Sequence, residues 1–273
     1  MKNVAVVVCL GLVALGCGTG SMVNVANNVV MKGGQWEYVV TPSNGAAVMN
    51  FEANVPGTNV AFNGANASIF FPSQVGATGP NATGTPLYCT PFGFNGEING
   101  NSLKVAFDWG ASTEHFASLS GELAANGQSI SNGTYSGQTC SNADSPGTPK
   151  ANFKGTLTGQ TIAPVNGTYS GTVTSSLFGA DVVTFTIAQN ADFSLNVAGT
   201  SSENGVTTMF STNFPQSTLV TGASVLFGGT AENVNETQNF SFAGHLNPAA
   251  TQLAITLMTV GPNETVSGTL TRQ

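Results

Sequence analysis

Phe92-Gly93-Phe94-Asn95-Gly96-Glu97-Ile98, then Asn99-Gly100, then Ser102-Leu103-Lys104-Val105-Ala106-Phe107-Asp108, is the stretch on which the fold class turns. Leu103, Val105 and Phe107 alternate with Lys104, Ala106 and Asp108, so a strand here puts one face in a core and the other toward water. Asn-Gly supplies the positive φ angles of a type I′ turn, whose twist matches that of paired strands, and the whole stretch therefore predicts a β-hairpin.

The same grammar recurs outward from this hairpin. Val183, Phe185 and Ile187 alternate with Thr184 and Thr186; Phe193, Leu195 and Val197 alternate with Ser194 and Asn196; Leu253, Ile255 and Leu257 repeat the spacing. Eight Asn-Gly pairs punctuate the chain, among them Asn44-Gly45, Asn126-Gly127 and Asn204-Gly205. No segment beyond the amino terminus keeps a 3.6-residue apolar period for three turns. The expected class is all-β, an antiparallel meander forming one or two small barrels or sandwiches after an N-terminal signal peptide.

Composition supports that class and removes others. Only 7% of the 273 residues are charged, against about 25% in typical soluble domains, so the polar surface must come from Ser, Thr, Asn, Gln and Gly. Two Trp, four Tyr and 17 Phe provide enough apolar area to argue against wholesale disorder. The formal charge of −7 comes from scattered acids, and only six Lys and Arg are present. Nucleic-acid binding is excluded as an expectation, because phosphate recognition needs clustered bases.

The chain begins Met-Lys-Asn, followed by an apolar run from Val4 to Leu15 and then Gly16-Cys17-Gly18. That run suits the hydrophobic region of a signal peptide and falls short of the roughly 20 residues of a membrane-spanning helix. Val13-Ala14-Leu15-Gly16-Cys17 resembles the bacterial lipobox, although Leu stands one place nearer the cysteine than usual. The resemblance implies a lipoprotein signal peptide over 1–16, cleavage before Cys17, diacylglycerol on its sulfur and a membrane partner held through lipid. Two or more acyl chains anchor stably where one does not. An ordinary secretory leader that happens to contain Cys17 is the alternative. Gly18 in place of Asp implies release to the outer membrane. Gly-Thr-Tyr-Ser-Gly-Thr and Gly-Thr-Leu-Thr-Arg in the body look like those of β-rich bacterial envelope lipoproteins with no assigned activity.

Residues 17–34 read as a lipid-anchored tether, with a first strand beginning at Val29, Val30 and Met31 as the alternative, 35–160 as a first β unit and 166–273 as a second, with Ala163-Pro164-Val165 as linker. Gly155-Thr156-Leu157-Thr158-Gly159-Gln160 returns as Gly268-Thr269-Leu270-Thr271-Arg272-Gln273, and Trp36-Glu37-Tyr38 stands in parallel register to Gly167-Thr168-Tyr169. Duplication is one reading of these repeats. A competing match, Asn132 to Gly137 repeated verbatim at Asn166 to Gly171, crosses the proposed boundary.

Cys89 and Cys140 are the thiols left once Cys9 departs with the leader and Cys17 is acylated, and an even pair in an exported chain reads as a disulfide. A metal site on these cysteines lacks any neighbouring ligand at the right spacing, so no metal and no cofactor are expected. The polar cluster Asp108, Trp109, Glu114 and His115 is a candidate ligand-binding site. Two carboxylates and an imidazole beside an indole suit a cation or a sugar linkage, whereas a water-facing loop between strands is the plainer account. His245 falls on the face opposite Phe240 and Phe242 and reads as a surface histidine. Glu232 and Glu236 read as parts of a solvated turn. Trp36 is expected to fill a core rather than stack on sugar.

Motifs for hydrolases, phosphate loops and calcium loops are absent. The expected function is a non-enzymatic envelope or surface module that binds a glycan, an apolar ligand or another envelope protein. Alternatives are a lipocalin-like carrier of a small apolar ligand and a carboxylate-dependent hydrolase.

Overall fold

The computed structural model describes residues 27–43, 48–70, 89–108, 115–138, 152–203, 205–212, 218–261 and 264–273. The leader, Cys17 and the first part of the expected tether lie outside them.

Eight strands form the first sheet: β1 (Gly34–Pro42), β2 (Met49–Val55), β3 (Phe62–Phe70), β4 (Cys89–Asn99), β5 (Ser102–Asp108), β6 (His115–Leu123), β7 (Ser129–Gln138) and β8 (Asn152–Ile162). They pair in sequence order, and β1 closes on β8, so the sheet is a barrel. The opening hairpin is β4–β5, with Asn99 opposite Ser102 and Gly100 at φ 64°. An eight-stranded barrel has an interior just wide enough for side chains to fill it. Trp36, Tyr38, Phe51, Phe107 and Tyr135, all fully buried, do so here. Phe51 lies 5.2 Å from Phe107 and 5.1 Å from Tyr135, the tilted spacing that aromatic quadrupoles favour.

Nine strands form the second sheet: β9 (Gly167–Ser175), β10 (Gly179–Gln189), β11 (Leu195–Glu203), β12 (Val206–Ser211), β13 (Leu219–Thr221), β14 (Ser224–Glu232), β15 (Thr237–Leu246), β16 (Gln252–Val260) and β17 (Glu264–Arg272). β17 pairs with β9, and the end of β14 pairs with β12, which gives a second barrel-like closure. The start of β14 pairs instead with the short β13, whose other edge bonds to residues 193–195 ahead of β11, so this β13–β14 spur completes the wall at that end of the barrel. The core is its own cluster, centred on Phe185, which lies 5.2 to 5.5 Å from Phe210, Phe227 and Phe242. The class is therefore all-β with two antiparallel barrels.

Local alternation is modified in two places. A bulge between Ile255 and Met258 adds a step to β16, so Met258 rather than Leu257 enters the core. Phe193 sits in the turn before β11 at φ 67°, and the buried alternation starts at Leu195.

The tether reading of residues 17–34 needs correction over its last residues, which are packed against the barrel. Asn28 donates to the carbonyls of Asn59 and Ile98 and accepts from Gly100 N–H. Met31 is fully buried and bridges Thr58, and Lys32 N–H donates to Gly127. These partners are the β2–β3, β4–β5 and β6–β7 turns, all at one end of the barrel. Residues 28–32 thus strap the base of the first barrel. A Cβ at Gly127 would approach the Val30 carbonyl oxygen to 1.9 Å, so the strap requires glycine there.

The repeated hexapeptides hold the same station. Gly155 faces Pro42 and Gly159 faces Tyr38 across β8–β1, while Gly268 faces Val173 and Arg272 faces Tyr169 across β17–β9. The competing repeat falls on β7 and β9, which occupy different places in their barrels.

Candidate functional site

Two places in the fold carry chemistry. The first is the seam between the barrels. On β1 and β2, Trp36, Tyr38, Phe51 and Ala53 point inward, which leaves Gln35, Glu37, Asn50, Glu52 and Asn54 on the outer wall. That polar face is nevertheless buried, with Glu52 fully so. The covering piece is the β13–β14 spur. Gln35 Nε2 donates to the Gly222 carbonyl at 2.7 Å, Asn54 Nδ2 to Val220 at 2.7 Å, Gly222 N–H to Asn54 Oδ1 at 3.1 Å, and Ser224 N–H to Glu52 Oε2 at 2.6 Å. Side-chain amides satisfy the backbone of a short strand edge, as buried peptide groups require. Gly222 is at φ 54°, and a Cβ there would lie 2.4 Å from the Trp36 carbonyl oxygen.

At the centre of the seam, Glu37 and Glu52 are directly opposite each other in the β1–β2 register. Like charges in that position repel. His245, from β15, answers them: its Nε2 lies 3.0 Å from Glu52 Oε1 and 3.2 Å from Glu37 Oε1. Asn50 Nδ2 also donates to Glu37 Oε1, at 2.5 Å. Burial by itself pulls the imidazole's proton affinity down, but the two carboxylates outweigh it and push the pKa up to about 9. Burial pushes the Glu52 carboxyl above its usual range, against the opposing pull of His245 and Ser224. The surface-histidine reading is thereby corrected. His245 does leave the core of its own barrel, but the other barrel covers that face.

The second place is the mouth of the second barrel, at the end of its strands remote from the seam residues. A cavity of about 950 Å³ opens there, floored by Val183, Phe210, Met258 and Val266. Around it stand Asp181, Asn235, Glu236, Gln238, Asn239 and Glu264, and among the described residues the lining contains no Lys, Arg or His. Two turns hold apolar side chains at the rim. Ser175 Oγ accepts from the N–H groups of Leu177 and Phe178, and Asn233 Oδ1 accepts from those of Asn235 and Glu236. Leu177, Phe178 and Val234 are consequently 57%, 55% and 87% exposed. Glu236, read as a solvated turn residue, lines this mouth. Trp36 is buried in the first barrel.

Among the candidates from sequence, Cys17, Cys140, Trp109 and Glu114 lie outside the described residues. Cys89, Asp108 and His115 are described through their backbone alone. Cys89 pairs with Ile69 in β3, and Asp108 pairs with His115 across β5–β6. Sequence reasoning missed Glu37, Glu52 and the mouth. The available signal for the first two was the register: a β1–β2 hairpin that places two acids opposite each other needs something to answer them.

Fold and site together define a two-barrel all-β chain with an open mouth on its second barrel. No family model and no curated protein matches it. Among solved structures it is similar to the isotype 1 transferrin-binding protein B of serogroup B Neisseria meningitidis, at 9% sequence identity and a TM-score of 0.28, over 90% of this chain and 78% of that one. A likeness of this size assigns no role to any residue.

Proposed function

We propose that this chain is a non-enzymatic envelope protein, anchored through lipid on Cys17, that binds a ligand in the open mouth of its second barrel. The mouth carries the reading. Its apolar floor, its rim of amides and carboxylates, and three large apolar side chains held outward by side-chain-to-backbone turns form a pre-organised recognition surface. Acids without bases disfavour anionic ligands. The chemistry that fits is an apolar body bearing neutral donors or a positive charge. Catalysis draws no support from the acids here: Asp181 Oδ1 accepts from the N–H groups of Val182 and Ser202, and Glu264 Oε1 accepts from Ser175.

A thermal-shift screen of hydrophobic ligands, envelope glycans and envelope proteins tests the reading. Hits should be lost in Phe178→Asp while that variant keeps the wild-type melting temperature without ligand. Hits that survive both Phe178→Asp and Val234→Asp would place binding elsewhere, and turnover of a hydrolase substrate would remove the non-enzymatic reading. Anchoring is tested separately: labelled palmitate should enter the wild type and not Cys17→Ser. A disulfide between Cys89 and Cys140 belongs to the same exported state, and thiol counting on the denatured, unreduced chain should then find neither cysteine free.

A further inference from the structure

We propose that Glu37, Glu52 and His245 form a divalent transition-metal site that joins the two barrels, with Asn50 supplying a fourth ligand. Three strands from both barrels bring one atom each from the two carboxylates and the imidazole within 4.8 Å of one another. His245 Nε2 lies 3.0 Å from Glu52 Oε1 and 3.2 Å from Glu37 Oε1. Ligand atoms around a tetrahedral ion with bonds of about 2.0 Å sit roughly 3.3 Å apart, which the two distances to the imidazole match.

The surroundings fit a ligand set as well. Glu52 Oε2 is fixed by Ser224 N–H, and Glu37 Oε2 accepts from Gln160 Nε2 at 3.4 Å, which aims both Oε1 atoms at the imidazole. Outer partners of this kind orient ligating carboxylates in known metal sites. One buried polar atom beside the cluster, Asn50 Oδ1, has no hydrogen-bond partner. Asn50 is 5% exposed and already touches the Glu37 carboxylate through its Nδ2. A buried oxygen left without a partner is costly, and a cation at the cluster supplies one.

Charge points the same way. Two acids opposite each other in a buried wall repel when ionised, and a divalent ion would balance both charges. One nitrogen and two or three oxygens select Zn2+ or its first-row neighbours over Ca2+ and Mg2+, which take all-oxygen sets. The site lies at the seam, and its failure would leave the reading of the mouth untouched.

The test uses the full chain, purified in detergent and stripped with a chelator. After exposure to Zn2+ and desalting, elemental analysis should find one zinc per chain, and Zn2+ in hundredfold excess over its dissociation constant should raise the melting temperature by about 5 °C. His245→Gln and Glu52→Gln should lose the zinc, and His115→Ala should keep it. Co2+ on the wild type should give the visible absorption of a four-coordinate nitrogen and oxygen site, a readout that needs no variant to fold. A wild type that retains no zinc, or a His245→Gln variant that retains as much as the wild type, would overturn the proposal.

Discussion

The first and second barrels share a strand grammar and differ in what covers them. In the first, the strap of residues 28–32 crosses the base, and the β13–β14 spur hides the outer wall of β1 and β2. In the second, the linker and spur lie at the base, and the opposite mouth is open. The contrast extends to single side chains at equivalent stations. Tyr169, in β9, donates its hydroxyl to the Ala250 carbonyl at 2.7 Å. Tyr38, in β1, buries its hydroxyl with no partner, and burial raises its pKa far above the ordinary phenol value. One barrel is strapped at its base and serves as a platform; the other uses its polar groups at a working edge.

The largest expected effect comes from breaking the seam that makes the first barrel a platform. Gly222→Val sets a β-branched residue at a positive φ, with its Cβ against the Trp36 carbonyl, and should cost about 3 kcal/mol or more. Chemical denaturation read by Trp fluorescence and by circular dichroism should then show two separated transitions in place of one. Coincident, unshifted transitions would mean that the spur does not couple the barrels.

A smaller effect should follow from pH in chelator-treated protein. His245 binds its proton more tightly in the folded chain than the ordinary 6.5 of the unfolded one, so its contribution is complete below about pH 6.5 and is lost as pH rises through about 9. Glu52, whose carboxyl is also raised, shifts stability in the same direction, downward with rising pH. Midpoints measured from pH 6 to pH 10 should fall by up to about 3 kcal/mol. His245→Gln should flatten that slope, and a wild-type stability that rises over the same window would contradict the assignment.

The tyrosine contrast is sharper in sign than in size. Tyr169→Phe should cost about 1 kcal/mol, whereas Tyr38→Phe should be neutral or stabilising, because it removes a buried hydroxyl that makes no bond. Equal losses at both would show that Tyr38 has a partner.

Much of this architecture was legible in the residues. The period-two runs and the Asn-Gly turns identify strands and hairpins, and Gly100, Gly127 and Gly205 do take positive φ. Asn63-Gly64 and Asn95-Gly96 do not mark turns; they lie within β3 and β4, where Phe94 covers Gly64 and Phe62 covers Gly96. The seam stayed hidden for a physical reason. Alternation reports which residues leave a barrel's core, but a polar face looks the same whether water or another strand's backbone meets it. Nothing in the alternation marks Gln35, Glu37, Glu52 and Asn54 as a covered face, and His245 stands 193 positions from Glu52. The mouth was hidden because an exposed Phe178 in a turn is unremarkable until the turns around it converge.

The central claim is that the open mouth of the second barrel, rather than the strapped base of the first, meets the ligand. Site-specific photocrosslinkers placed at Phe178, at Val234 and, as a control on the first barrel, at the exposed Val60 test it in living cells. The account predicts ultraviolet-dependent adducts at positions 178 and 234 and none at 60; adducts at 60 with none at the mouth would contradict it.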